Sequence, residues 1–229
     1  MYWQETERPD EHKFSARVVD IAFRMECPCL PTDHSWSLCK SIENYLPWFA
    51  DEEYTGIHAI HGAESNNGWT RPNEAEGALI HLSKRVKLVL RIPGERLSQC
   101  ATMSGKTLTV AGNSMKLGRY TTRTINPTAT LFARRIVTHA DENEEAFLQR
   151  ALSELTDMNV TVPKLLPGRT SRIKTPDRHL VARSLLLADL SFEDSIRIQE
   201  SGLGESRNLG CGLFVPHKSI TAVKQFSDE

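Results

Sequence analysis

Twice along these 229 residues a strand pattern is followed by a helix pattern, two more strand patterns, a second helix and a closing strand, and a chain so ordered has few ways to bury its apolar faces. In the first half, Phe14 to Met25 carries apolar residues on both parities (Phe14, Ala16 and Val18, then Ile21, Phe23 and Met25), which predicts a bulged or doubly buried strand. Asp33 is placed to cap a helix in which Leu38, Cys39, Ile42, Tyr45 and Leu46 recur at helical spacing and which Pro47 closes. Ile57 to Gly62 and Lys84 to Ile92 read as strands, the second with Val86, Leu88, Leu90 and Ile92 on one face. Pro93 opens a short helix through Met103, and Thr107 to Val110 and Ser114 to Leu117 flank a Gly112-Asn113 turn.

The second half repeats the order without sequence similarity to the first. Leu131 to Thr138 is a strand, and Phe147, Leu148, Ala151, Leu152, Leu155 and Met158 form an amphipathic stripe after an acidic start that suits the helix dipole. Thr170 to Lys174 and His179 to Leu190 pair as a hairpin, Ser191-Phe192-Glu193-Asp194 opens a helix that Gly202 ends, and Cys211 to Val215 closes the unit. The fold class is therefore α+β, two tandem ferredoxin-like (β-α-β-β-α-β) units. The boundary falls at Asn126-Pro127, giving units 1–127 and 128–229. With no low-complexity linker between them, the units are expected to pack side by side and to bind one ligand between them.

A net charge of -1 conceals a segregation: residues 1–80 hold 6 Lys and Arg against 14 Asp and Glu, residues 81–140 hold 11 against 1, and residues 141–229 hold 11 against 14. Lys164, Arg169, Arg172, Lys174, Arg178 and Arg183 form a further basic stretch opposed only by Asp177. Two basic regions in a near-neutral protein point to a localised polyanion site, the alternative being solvated strand faces. No run approaches a membrane span, and the polar, acidic start, Met1 to Glu7, lacks the features of a secretory signal, so a cytoplasmic location and no membrane partner are expected. Five cysteines at irregular spacings point to reduced thiols. Cys27, Cys29 and Cys39 lack a second paired set, and His58 and His61 project to opposite faces of a strand, so no metal is expected.

Four glycines, Gly202, Gly204, Gly210 and Gly212, bracket Arg207 and lead into Leu213-Phe214-Val215-Pro216. Such a loop either lets backbone amides approach a phosphate or only shapes a turn after a helix. This run resembles the C-terminal glycine-rich loop of the CRISPR-associated (Cas) family-six pre-crRNA endoribonucleases of the RAMP superfamily. Leu30-Pro31-Thr32-Asp33-His34-Ser35-Trp36-Ser37-Leu38 is similar to the segment that carries the catalytic histidine at the start of the first helix in a type I branch of that family, and Gly56 to Gly62 resembles the strand after it. The resemblance implies a RAMP/RRM-like pair of units that binds a CRISPR repeat stem-loop. It also implies cleavage without a cofactor, 2',3'-cyclic phosphate and 5'-hydroxyl ends, and retention on the crRNA with other Cas subunits of a type I effector complex (Cascade). A non-cleaving crRNA-binding subunit is the alternative.

Cleavage without a metal requires a base for the 2'-OH, an acid for the 5'-oxygen and a cation for the phosphorane charge. His34 suits either proton role, because the positive end of a helix favours neutral imidazole. Lys40, six residues on and off His34's face, is the candidate catalytic cation, with Arg207 as the other option and Tyr45 and Ser37 behind them. Arg119, Arg123, Arg134 and Arg135 surround the junction of the units, and Arg172 and Lys174 sit on the hairpin. These, with the four glycines and Arg207, are the candidate RNA-binding residues. Aromatic content of 7% favours shape and phosphate contacts over base stacking.

Overall fold

The periodicities become elements in the computed structural model, which describes residues 17–61, 78–139 and 141–217. The N-terminal half forms β1 (Val18–Glu26), β2 (Cys29–Pro31), α1 (Ser35–Glu43), β3 (Gly56–Ile57), β4 (Leu79–His81), β5 (Lys87–Pro93), α2 (Leu97–Ala101), β6 (Thr107–Val110) and β7 (Asn113–Thr124). The C-terminal half forms β8 (Thr130–Val137), α3 (Glu144–Asp157), β9 (Lys164–Lys174), β10 (His179–Ala188), α4 (Phe192–Ser201) and β11 (Phe214–Pro216). The sheets run β3-β5-β1-β7-β6 and β11-β8-β10-β9, with every pairing antiparallel. With β6 set aside, each follows the ferredoxin-like order in which the first and third core strands lie between the fourth and the second.

Local chemistry accounts for the boundaries. Asn143 caps α3 by accepting from the Ala146 amide, and Ser191 caps α4 by accepting from the Asp194 amide. The expected bulge in the first strand appears as a register shift between Phe23 and Met25 against β7. The start read from Phe14 and Ala16 lies outside the described residues, as does Gly62. The turn between β6 and β7 sits one residue earlier than expected, with Ala111 and Gly112 both at positive φ. The strand expected over Ile57 to Gly62 pairs only through Gly56 and Ile57, plus the His58 amide on the Val89 carbonyl.

Alternation puts Leu88, Leu90 and Ile92 fully inside the N-terminal core, with Ile21 and Phe23 of β1 and Leu38 and Ile42 of α1. In the second unit Phe147, Ala151 and Leu155 of α3 pack with Leu131, Ala133, Leu185 and Leu187. The units share apolar contacts: Ile173 and Leu180 of the β9–β10 hairpin, with Leu209 and Cys211 of the glycine-rich loop, are buried in the N-terminal core. A fully buried apolar side chain contributes about 1.5–3 kcal/mol, so these anchors hold the hairpin and the loop against the first unit. Among the described residues no helix is long and apolar enough to cross a membrane.

Candidate active site

His34 is the N-cap residue of α1 and is buried, 2% exposed. Its Nδ1 lies 2.7 Å from the Pro31 carbonyl, which can only accept, so Nδ1 carries the proton and Nε2 is the basic nitrogen. The carbonyl is held by a ribbon that the periodicity did not reveal, β2 paired with β4, extended by the Thr32 amide on Ala78 O (2.8 Å) and the Leu82 amide on Pro28 O (2.9 Å). Burial lowers the His34 pKa below its ordinary 6.5, the bond to Pro31 opposes this, and the nearby Arg135 charge lowers it further. The folded protein thus resists protonating His34, and this residue's contribution to stability is lost as pH falls below 6.5. If Nε2 is a base, the single-turnover cleavage rate rises with pH through a midpoint below 6.5 and then levels, which a pH–rate profile in a metal-free buffer checks.

Three elements meet around this histidine. Arg135 of β8 donates through Nη1 to Ser35 Oγ (3.0 Å), next to His34, while its carbonyl accepts from the Gly212 amide (2.7 Å). The Lys174 amide, at the end of β9, donates to Asp33 Oδ1 (3.0 Å). Asp33 therefore does not cap α1, which has no side-chain cap; its carboxylate ties the hairpin to the residue before His34. The turn Arg207–Leu209 also contacts α1, the helix that His34 precedes.

The loop is folded in on itself. Gly202 and Gly212 have φ of +72° and +68°, and a Cβ on Gly212 would stand 2.5 Å from the Leu203 carbonyl oxygen, so both positions require glycine. The glycine amides have internal acceptors: Gly202 on Ile198 O, Gly204 on Glu154 Oε2, Gly210 on Arg207 O and Gly212 on Arg135 O. The four glycine amides are therefore turned to acceptors within the protein rather than to a phosphate, and the glycines allow close backbone approach in a compact wedge. Arg207 is likewise turned inward, its Nη1 donating to the carbonyls of Glu200 and Ser201 at the end of α4. Burial and the neighbouring Arg91 charge lower its pKa to about 10, which leaves it charged at neutral pH.

Lys40 stands in the last turn of α1, its ammonium 2.6 Å from Glu43 and 4.7 Å from the Trp36 ring centre, directed to those partners rather than to His34. Arg119 and Arg172 are exposed on β7 and β9. Arg123 and Arg134, with His58, His61, Arg85, Lys87 and Phe132, line an open groove of about 580 Å³ between the two sheets. His58 donates through Nε2 to Asp20 at 3.2 Å. Burial would raise the Asp20 pKa, but hydrogen bonds from His58 and Arg91 hold it well below the usual carboxylate range. The described cysteines, Cys27, Cys29, Cys39, Cys100 and Cys211, are free thiols, and burial pushes Cys39, Cys100 and Cys211 up to about 12.

The fold is a pair of ferredoxin-like α+β units, with a histidine at the mouth of the first helix and a folded glycine-rich loop joined to the same helix through Arg135. The family described as Cas6 Crispr matches residues 19–219, and the chain belongs to it. It is 28% identical over 198 residues to the CRISPR-associated endonuclease Cas6 of Myxococcus xanthus (strain DK1622), an alignment covering 86% of this chain and 81% of that protein. Among solved structures, a Cas6-related gene product from Pyrococcus furiosus superposes with a TM-score of 0.58 at 14% identity, covering 86% of this chain and 98% of the other. A RAMP protein described as binding different RNA substrates superposes with a TM-score of 0.55 at 14% identity, again over 86% and 98%. The two superpositions agree with the fold class expected from the sequence.

Proposed function

We propose that this chain is a metal-independent endoribonuclease that binds the stem-loop of a CRISPR repeat transcript and cuts it to release crRNA. The observation that carries the reading is the meeting of a buried, neutral His34, the Arg135 side chain and the end of the basic β9–β10 hairpin at the mouth of α1. The N-terminal unit, 1–127, supplies the histidine, and the C-terminal unit, 128–229, supplies Arg135, the hairpin and the loop.

In this reading His34 Nε2 takes the proton from the 2'-OH upstream of the scissile phosphate. The oxygen attacks phosphorus, the bond to the 5'-oxygen breaks as that oxygen takes a proton from solvent water, and the products carry a 2',3'-cyclic phosphate and a 5'-hydroxyl. The Arg135 guanidinium, beside the histidine, stabilises the negative charge that develops on the phosphorane. It takes this place ahead of Lys40, whose ammonium is engaged by Glu43, and of Arg207, whose guanidinium binds the α4 carbonyls. Arg172 and Lys174 grip the stem from the hairpin, and Arg119, Arg123 and Arg134 hold the phosphates of the flanking strand. After cleavage the protein stays on the crRNA and joins other Cas subunits of a type I effector complex.

The test is incubation in EDTA with the repeat RNA of the CRISPR array beside the gene, followed by mass analysis of the fragments. One cut bearing a cyclic phosphate and a 5'-hydroxyl supports the reading. Tight binding with no cut favours the non-cleaving crRNA-binding subunit.

A further inference from the structure

One buried arginine joins the two units, and it reaches both ends of the glycine-rich loop. Arg91, on β5, is 1% exposed. Its Nε and Nη2 fork onto Asp20 Oδ1 and Oδ2 at 2.8 and 3.1 Å, a pair in direct register between β5 and β1 at the centre of the N-terminal sheet. Its Nη1 crosses into the second unit and donates to the carbonyls of Gln199 (2.8 Å) and Phe214 (2.9 Å). Gln199 lies in the last turn of α4, just before the loop, and Phe214 begins β11, just after it. A helix leaves its last four carbonyls without intrahelical donors, and α4 has no basic residue in its last turn. Arg91 on Gln199 and Arg207 on Glu200 and Ser201 fill that place from outside the helix.

Stability alone does not call for this arrangement. Burying a charge carries a desolvation cost that a good ion pair roughly offsets, and well-packed apolar residues often do as well or better. Ile173, Leu180 and Leu209 already provide apolar contact between the units. What an apolar contact cannot supply is direction. A planar guanidinium on four acceptors fixes the end of α4 and the start of β11 relative to one carboxylate. From there the loop reaches the candidate site through the Gly212 amide on the Arg135 carbonyl and Arg135 Nη1 on Ser35 Oγ.

We infer that Arg91 is a positioning residue for RNA cleavage: anchored on Asp20, it sets both ends of the glycine-rich loop and thereby the place of Arg135 beside His34. The inference rests on the endoribonuclease reading and assigns Arg91 no contact with RNA. Lysine at this position keeps the charge but cannot span the carboxylate and both carbonyls, and a displacement near 1 Å in a catalytic group lowers a rate about 100-fold.

The test uses the full chain in excess over end-labelled repeat RNA, in EDTA, at two temperatures below the thermal unfolding midpoint of every variant. For Arg91→Lys the cleavage rate constant at saturation is expected to fall about 30- to 100-fold at both temperatures, with Kd for the RNA within about threefold of wild type. Asp20→Asn, which leaves an acceptor in place, is expected to lose about tenfold in rate with affinity likewise retained, and it is read by the same criteria if Arg91→Lys does not fold. A rate within about threefold of wild type for both variants overturns the inference, as does a loss matched by an equal loss of affinity or one that vanishes at the lower temperature. Wild-type protein that leaves the repeat uncut removes the endoribonuclease reading itself. Wild-type protein that cuts while both variants match it removes only the role of Arg91.

Discussion

Replacing His34 with alanine is expected to slow cleavage of the repeat RNA in EDTA by about 10²- to 10⁴-fold, the range that a positioned general base contributes. Affinity should change little, because the imidazole is buried, carries no charge at neutral pH and uses Nδ1 on the Pro31 carbonyl. Single-turnover cleavage and a binding titration on the same preparation separate the two quantities. Glutamine at position 34 is the stricter control, since its amide can donate to Pro31 O while offering no basic nitrogen. A variant of either kind that cuts at the wild-type rate places the chemistry elsewhere on the molecule.

Gly212→Ala is expected to destabilise the protein by about 2–4 kcal/mol, the sum of positive-φ strain for a non-glycine residue and a steric overlap that the backbone must relieve. The added Cβ would stand 2.5 Å from the Leu203 carbonyl oxygen, a backbone atom that cannot rotate away. It also loads the segment that bonds the Arg135 carbonyl, so the cleavage rate should fall further than the fraction folded. Gly204→Ala supplies the comparison. Its φ is +69°, but its nearest contact would be 3.7 Å from Ile136 Cγ2, so only the backbone term of about 1 kcal/mol applies. Urea unfolding of the two variants checks the difference, and equal losses would show that the Gly212 overlap relaxes freely.

The element order was legible because helices and strands long enough to show a period reveal themselves: Leu88, Leu90 and Ile92 alternate into the core, and Phe147, Ala151 and Leu155 recur along one helical face. The β2–β4 ribbon that holds Pro31 was not, because each strand has three residues and its partner lies about fifty positions away. The extension of β7 through Thr124 went unread, although its Tyr and Thr residues carry strand propensity.

The candidate site was legible in part. His34 and the glycine-rich loop were both found in the sequence, yet the way they meet depends on Arg135, whose neighbours in the chain do not distinguish it from Arg134. One parity step sends Arg134 to the groove and Arg135 to α1. Arg91 shows the same limit from the other direction. The alternation that buries Leu90 and Ile92 implies that Arg91 faces outward, and it is buried because the second unit covers that side of the sheet. A glycine count likewise cannot tell an open amide cradle from a wedge whose glycine amides have internal acceptors. That distinction needed the acceptors Glu154, Arg135, Ile198 and Arg207 in place.

The most direct measurement is a crystal structure of the wild-type protein with its own repeat RNA carrying a 2'-deoxy nucleotide at the cleavage position. The scissile phosphate is expected at the mouth of α1, with His34 Nε2 about 3 Å from the site of the missing 2'-oxygen and the Arg135 guanidinium facing the phosphate. A scissile linkage seated in the groove lined by His58 and Arg123, away from His34, would contradict it.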